Sequence, residues 1–198
     1  AQRGAGLCFA VHQFDAMGAR FADLKVRMRE SQRGWAFDLD GPEIAGTATW
    51  SKPDASAPNG RIVARLARIA IPGRGGVPSW RSGDGKESAS EPRSEAAAAN
   101  PWPEIDLAAE TLVSKDRDLG RLEFVAQPRG AEWRIDRLIL ANDSGRLDAG
   151  GAWRVVGQQQ QTRLDLVLDA KDPGGFLARY GYAEALKGAP TQIDGQLT

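Results

Sequence analysis

The sequence predicts an all-β fold: an antiparallel meander of amphipathic strands with one short helix near the C-terminus. Three observations carry this expectation. Apolar residues recur at every second position along most of the chain, charged residues fill the alternate positions, and clusters of Gly, Pro, Asn and Asp separate the runs. Successive side chains of a strand point to opposite faces, so each run reads as a strand with one apolar and one wet face, the pattern of antiparallel sheets.

The runs follow in order. Leu24, Val26 and Met28 alternate with Lys25, Arg27 and Arg29, and Trp35, Phe37 and Leu39 alternate with Ala36, Asp38 and Asp40. Ile44, Gly46, Ala48 and Trp50 form the next face, then Ile62, Ala64 and Leu66. Ile69 and Ile71 resume that pattern after a one-residue slip that predicts a β-bulge near Ala67-Arg68. Later runs are Ile105/Leu107/Ala109, Leu122/Phe124/Ala126, Leu147/Ala149/Gly151/Trp153 and Leu164/Leu166/Leu168. Turn signals such as Gln32-Arg33-Gly34, Asp40-Gly41-Pro42, Pro58-Asn59-Gly60, Pro128-Arg129-Gly130 and Asn142-Asp143-Ser144-Gly145 fall between them.

Two stretches break the alternation. Residues 72–100 hold five Gly, three Pro and five Ser with only Val77 and Trp80 as large apolar groups, too few to offset ordering entropy, so a flexible linker is expected. Asp172-Pro173 is a helix start, Phe176, Leu177 and Tyr180 share one face, and a short helix over 174–187 is expected to cap one end of the sheet. The expected organisation is a first β module over 1–71, the linker, and a second module with the helix over 101–198. The modules look alike: Leu24 precedes Trp35 as Leu122 precedes Trp133, and Ile44 precedes Trp50 as Leu147 precedes Trp153. Two copies of one design, about a hundred residues apart, explain this spacing.

Composition narrows the function. Of 198 residues, 26 are basic and 26 acidic, so there is no excess of positive charge to neutralise nucleic-acid phosphates. Cys8 is the single cysteine and forms no internal disulfide. No apolar run approaches the roughly 18 residues of a membrane span. The chain starts at Ala1 and stops at Gly195-Gln196-Leu197-Thr198 in a strand-like run; it reads as a fragment, whose missing targeting signals say nothing about location.

No constellation argues for catalysis, and no enzyme activity is expected. His12, the only histidine, stands four residues from Cys8 in a stretch with no evident strand partner, an incomplete metal site. Asp38/Asp40 and Asp165/Asp169 lie on the wet side of their strands, as solvated charges do. Gly73-Arg74-Gly75-Gly76 is not followed by the helix of a phosphate-binding loop. Trp35, Trp50, Trp133 and Trp153 are in phase with the apolar rows, so packing explains them more simply than sugar stacking. No metal and no cofactor is expected. What stands out is collective: eight or more strands present one apolar face, with one short helix to cover it. Either two sheets close into a sandwich, or one curved sheet leaves an apolar trough suited to lipid.

Several segments carry a resemblance. They include Met17-Gly18-Ala19-Arg20-Phe21-Ala22-Asp23-Leu24, Gly34-Trp35, Gly41-Pro42-Glu43-Ile44-Ala45-Gly46 and Gly60-Arg61-Ile62-Val63-Ala64-Arg65-Leu66. Others are Pro101-Trp102-Pro103-Glu104-Ile105-Asp106-Leu107, Arg117-Asp118-Leu119-Gly120-Arg121-Leu122, Glu132-Trp133-Arg134-Ile135 and Gly174-Gly175-Phe176-Leu177-Ala178-Arg179-Tyr180-Gly181-Tyr182. In order and spacing they resemble the AsmA-like superfamily, most closely its YhdP-like branch of Gram-negative envelope proteins. The resemblance implies a β-groove protein anchored in the inner membrane and reaching across the periplasm. It also implies a role in moving phospholipid toward the outer membrane and keeping that membrane intact. The partners implied are phospholipid acyl chains and the membranes at the ends of the parent protein. The lipid-facing residues would be Leu24, Val26, Met28, Trp35, Phe37, Leu39, Leu107, Leu122, Phe124, Ile135, Leu164, Leu166 and Leu168. The alternative from another class is a closed β-sandwich serving as a spacer or as a carbohydrate- or protein-binding module, with no lipid path.

Overall fold

The computed structural model describes residues 6–16, 19–71, 102–114, 116–130, 132–156, 159–181 and 191–197. Alternation becomes strand throughout. The first five are β1 (Gly6–Ala16), β2 (Ala19–Ser31), β3 (Gly34–Asp40), β4 (Ile44–Ser51) and β5 (Arg61–Ile71). They are followed by β6 (Glu104–Ser114), β7 (Arg117–Arg129), β8 (Glu132–Asn142), β9 (Gly145–Val156) and β10 (Gln159–Ala170). Helix α1 (Pro173–Arg179) and β11 (Thr191–Leu197) complete the described chain. All eleven strands belong to one sheet in sequence order, β1 at one edge and β11 at the other. Among the described residues no second sheet packs on it, so the sandwich alternative gives way to a single open sheet.

Three expectations are corrected. The meander is not wholly antiparallel: β5 and β6 pair in parallel, from Arg61↔Glu104 to Ile71↔Ser114. Parallel neighbours need a long return connection, and here that connection lies in the 72–101 stretch, outside the described residues. The linker expected over 72–100 therefore lies outside them too, while the strands that flank it are hydrogen-bonded neighbours. The segment holding Cys8 and His12 is not unpaired; β1 pairs with β2 from Gly6↔Arg29 to Ala16↔Ala19. The helix is shorter than the expected 174–187. Asp172 caps its start, its carboxylate accepting the Gly175 N–H at 2.9 Å, and Tyr180 is its C-cap; residues 182–187 are outside the described residues.

The bulge near Ala67-Arg68 is present: Ala45 pairs with Arg68 but Gly46 with Leu66, leaving Ala67 as the extra residue. Two further irregularities had no clear sequence signal, one between Ala109 and Val113 against β7, the other at Asp136 in β8.

Burial concentrates where β5 meets β6. Ala64 and Leu66 of β5 and Ala109 of β6 form a buried cluster against Leu39, Ile44, Ala48, Ile69, Leu107 and Leu122. A second cluster docks α1, with Phe176 only 2% exposed against Leu168 and Ala170. Elsewhere on the apolar face the large side chains are mostly half-buried, as a sheet without a covering layer requires. Leu66, at 4% exposure, is therefore a keystone: Leu66→Ala is expected to cost about 2–5 kcal/mol. Val167→Ala on the other face, where the side chain is exposed, should stay within about 0.5 kcal/mol of wild type in the same urea titration.

Candidate functional site

Cross-strand register turns the separate alternations into three apolar rows. One runs Val26, Leu39, Gly46, Leu66, Ala109, Leu122, Leu140, Leu147 and Leu168 from β2 to β10. The next runs Met28, Phe37, Ala48, Ala64, Leu107, Phe124, Leu138, Ala149 and Leu166. The third begins at the Trp35↔Trp50 pair and continues through Ile62, Ile105, Ala126, Ile135, Gly151 and Leu164. Every residue expected on the lipid-facing side falls in one of these rows except Leu24, which is buried two residues before Val26 on the same side of β2.

The sequence-level list of site residues omitted Leu138 and Leu140. Ile135 and Leu138 are three residues apart yet share a face, because the Asp136 bulge shifts the phase of β8. Beyond the bulge, Ile139 falls on the charged face and is buried there among ionic neighbours.

Small residues recur in β4 and β9. Counted back from Trp50 and Trp153, Ala48 of β4 matches Gly151 of β9 and Gly46 matches Ala149; Gly46, Ala149 and Gly151 each lie between larger residues of the flanking strands. Leu39 thereby reaches the Leu66 cluster across Gly46. A Cβ on Gly46 would meet the Arg65 carbonyl, and one on Gly151 the Arg163 carbonyl, so neither position accepts a side chain as the strands now lie.

The apolar face is straddled at both strand ends. At one end Trp102, just before β6, lies with its ring centroid 6.0 Å from that of Trp153 in β9 and 6.2 Å from that of Trp133 in β8. On a flat sheet β6 and β9 stand about 14 Å apart at the usual interstrand spacing. Trp102 is fixed there because Asn59 Nδ2 donates to its carbonyl at 3.1 Å and Trp133 Nε1 donates to the Pro103 carbonyl at 3.2 Å. At the other end α1 leaves β10 and reaches β7, where Arg117 Nη1 donates to the Ala178 carbonyl at 2.9 Å and Tyr180 Oη to the Leu119 carbonyl at 3.4 Å.

Burial pushes the Tyr180 phenol up to about 12 from an ordinary 10.0. The neutral phenol is thus favoured in the folded chain, so its contribution is whole below pH 10 and is lost as pH rises toward 12. In a Tyr182→Phe variant, which leaves one tyrosine, phenolate absorbance should rise with a midpoint near 12. A midpoint near 10 would place the ring in water instead.

The opposite face is ionic and tied to itself. Arg29 meets Asp38 at 2.8 Å, Arg65 and Arg61 meet Asp106 at 2.9 and 3.5 Å, and Arg146 meets Asp148 at 2.6 Å. The Arg65 hydrogen bond holds the Asp106 carboxyl below its usual range, and Arg146 does the same for Asp148. Exposed pairs of this kind contribute about 0–1 kcal/mol each. An open depression of about 670 Å³ lies on this side, among Glu123, Arg137, Arg146, Asp148 and Asp165. Its charges of both signs largely pair with one another, which makes it a poor fit for an apolar ligand. Among the described residues no group of three or more His, Cys, Asp and Glu could hold a metal ion.

The geometry therefore offers one extended chemical surface, an apolar face bounded by indoles at one end and a helix at the other. No helix is long and apolar enough to cross a membrane among the described residues. A family model described as YhdP protein matches residues 5–198. No curated protein and no solved structure matches the chain.

Proposed function

The chain belongs to the YhdP protein family, a family of envelope proteins, and from that premise we propose that its apolar face shields phospholipid acyl chains on a path between the inner and outer membranes. The observation that carries this reading is the register. Two apolar rows continue without a charged interruption from β2 to β10 and a third from β3 to β10, and among the described residues no second layer covers them. An acyl chain laid on such a face gains about 0.8 kcal/mol for each CH₂ removed from water, while its headgroup stays hydrated beyond the strand ends. The face supplies shielding and no direction of movement; net transport would need a gradient or a partner.

The same reading makes this a periplasmic portion of a longer, inner-membrane-anchored protein that supports outer-membrane integrity. It acts without a catalytic step or a cofactor, and its partners are lipid and membrane, not nucleic acid. Native mass spectrometry with lipid extraction, on protein purified from bacteria without detergent, tests the proposal. Co-purifying phospholipid is expected. A lipid-free, folded protein that also takes up none from vesicles would overturn it.

A further inference from the structure

The two ends of the strands differ in chemistry. Five of the six tryptophans lie at one end: Trp35 and Trp50 opposite each other, Trp133 and Trp153 opposite each other, and Trp102 against the second pair. Toward the other end the row from Val26 to Leu168 holds no aromatic residue, and α1 packs Phe176 against Leu168 and Ala170. Indole is the side chain of apolar–water boundaries, with a large apolar body and one N–H that seeks an acceptor.

Charge divides the same way. Among the described turn residues and strand termini, the indole end carries Arg33, Lys52, Arg61 and Arg129 against Asp54, Glu104 and Glu132. The helix end carries Arg117, Lys171 and, in α1 itself, Arg179 against Asp40, Glu43, Asp116, Asp143 and Asp172. A phosphate is attracted to the first rim and repelled by the second. Length also fits. The seven-residue step from Trp133 to Leu140 spans about 23 Å of strand, longer than the roughly 15 Å that one leaflet's acyl chains occupy.

Resting on the lipid reading, we propose that the groove holds glycerophospholipid in one orientation: phosphate and ester groups at the indole rim, acyl chains along the strands toward α1. The test uses a Trp80→Phe variant, which removes the one tryptophan outside the described residues and leaves the other five. The protein is loaded with phosphatidylglycerol brominated near the ester end of an acyl chain, or near its methyl end, and loading is confirmed by native mass spectrometry. The ester-end lipid is expected to quench indole fluorescence about twice as strongly, as boundary placement of the indoles requires. Equal or stronger quenching by the methyl-end lipid, or none by either in loaded protein, overturns the orientation and leaves the groove intact. Failure of both lipids to bind overturns the groove reading and this inference with it.

Discussion

A Leu166→Arg variant is expected to stay folded and to lose its co-purifying phospholipid about tenfold or more. Leu166 closes the second apolar row on β10, half-buried, with Ala149 and Gly195 as its partners on the two neighbouring strands. Small neighbours leave room for a long side chain, and no buried cluster includes Leu166. The guanidinium can extend along the strand to water, so the folded state should survive. An acyl chain crossing the same point would have to lie against the charge or displace it. An arginine at the centre of a spanning helix costs about 2.5–3.5 kcal/mol on insertion scales. Half that cost already corresponds to a tenfold loss.

Native mass spectrometry reads lipid occupancy and a urea titration reads folding. Val167→Arg, one residue along and on the ionic face, is the paired control and should retain lipid. Should Leu166→Arg prove unfolded, Leu166→Gln introduces a polar group without the charge and keeps the question open to measurement. Full lipid occupancy in a folded Leu166→Arg protein would sink the groove reading.

Period-two alternation carried most of this surface into view from sequence, because it reports which side of a strand each residue occupies. Trp35 pairs with Trp50 and Trp133 with Trp153, each across an antiparallel strand pair. Alternation carries no information on strand direction, however, and the parallel β5–β6 pair was invisible to it. Nor does it survive a bulge: Asp136 moved Leu138 and Leu140 into a phase that a simple count assigns to solvent. Trp102 stands before its strand, outside any run, and its role depends on a long indole reaching across to Trp133 and Trp153. Asp172-Pro173 marks the start of the helix plainly, while its end at Tyr180 rests on a C-cap whose N–H bonds back to Leu177 and Ala178. A choice between an open trough and a sandwich is decided by what packs on the face, which no single strand's sequence encodes.

The glycine of β9 gives the sharpest stability test, because local propensity and tertiary geometry predict opposite signs. Valine is among the best strand formers and glycine among the worst, so Gly151→Val should stabilise an isolated strand by up to about 1 kcal/mol. In this sheet a Cβ at Gly151 would collide with the Arg163 carbonyl and stand 3.0 Å from Leu164 Cα, both backbone atoms of β10 that no rotamer change can move. Strands β9 and β10 would have to separate where Gly151 pairs with Leu164, on the row that ends in the tryptophan pair. Overpacking of this kind costs about 1–3 kcal/mol, occasionally more, so a net destabilisation of about 2 kcal/mol is expected. With an m-value near 2 kcal/mol per molar, that lowers the urea midpoint by about 1 M. Gly130→Ala is the control: its φ of +62° carries a backbone penalty but its Cβ meets nothing within 4 Å, so it should cost only about 1 kcal/mol. If Gly151→Val raised the midpoint, the close approach of β9 and β10 would not exist in solution. The narrow trough would then have to be replaced by a wider one.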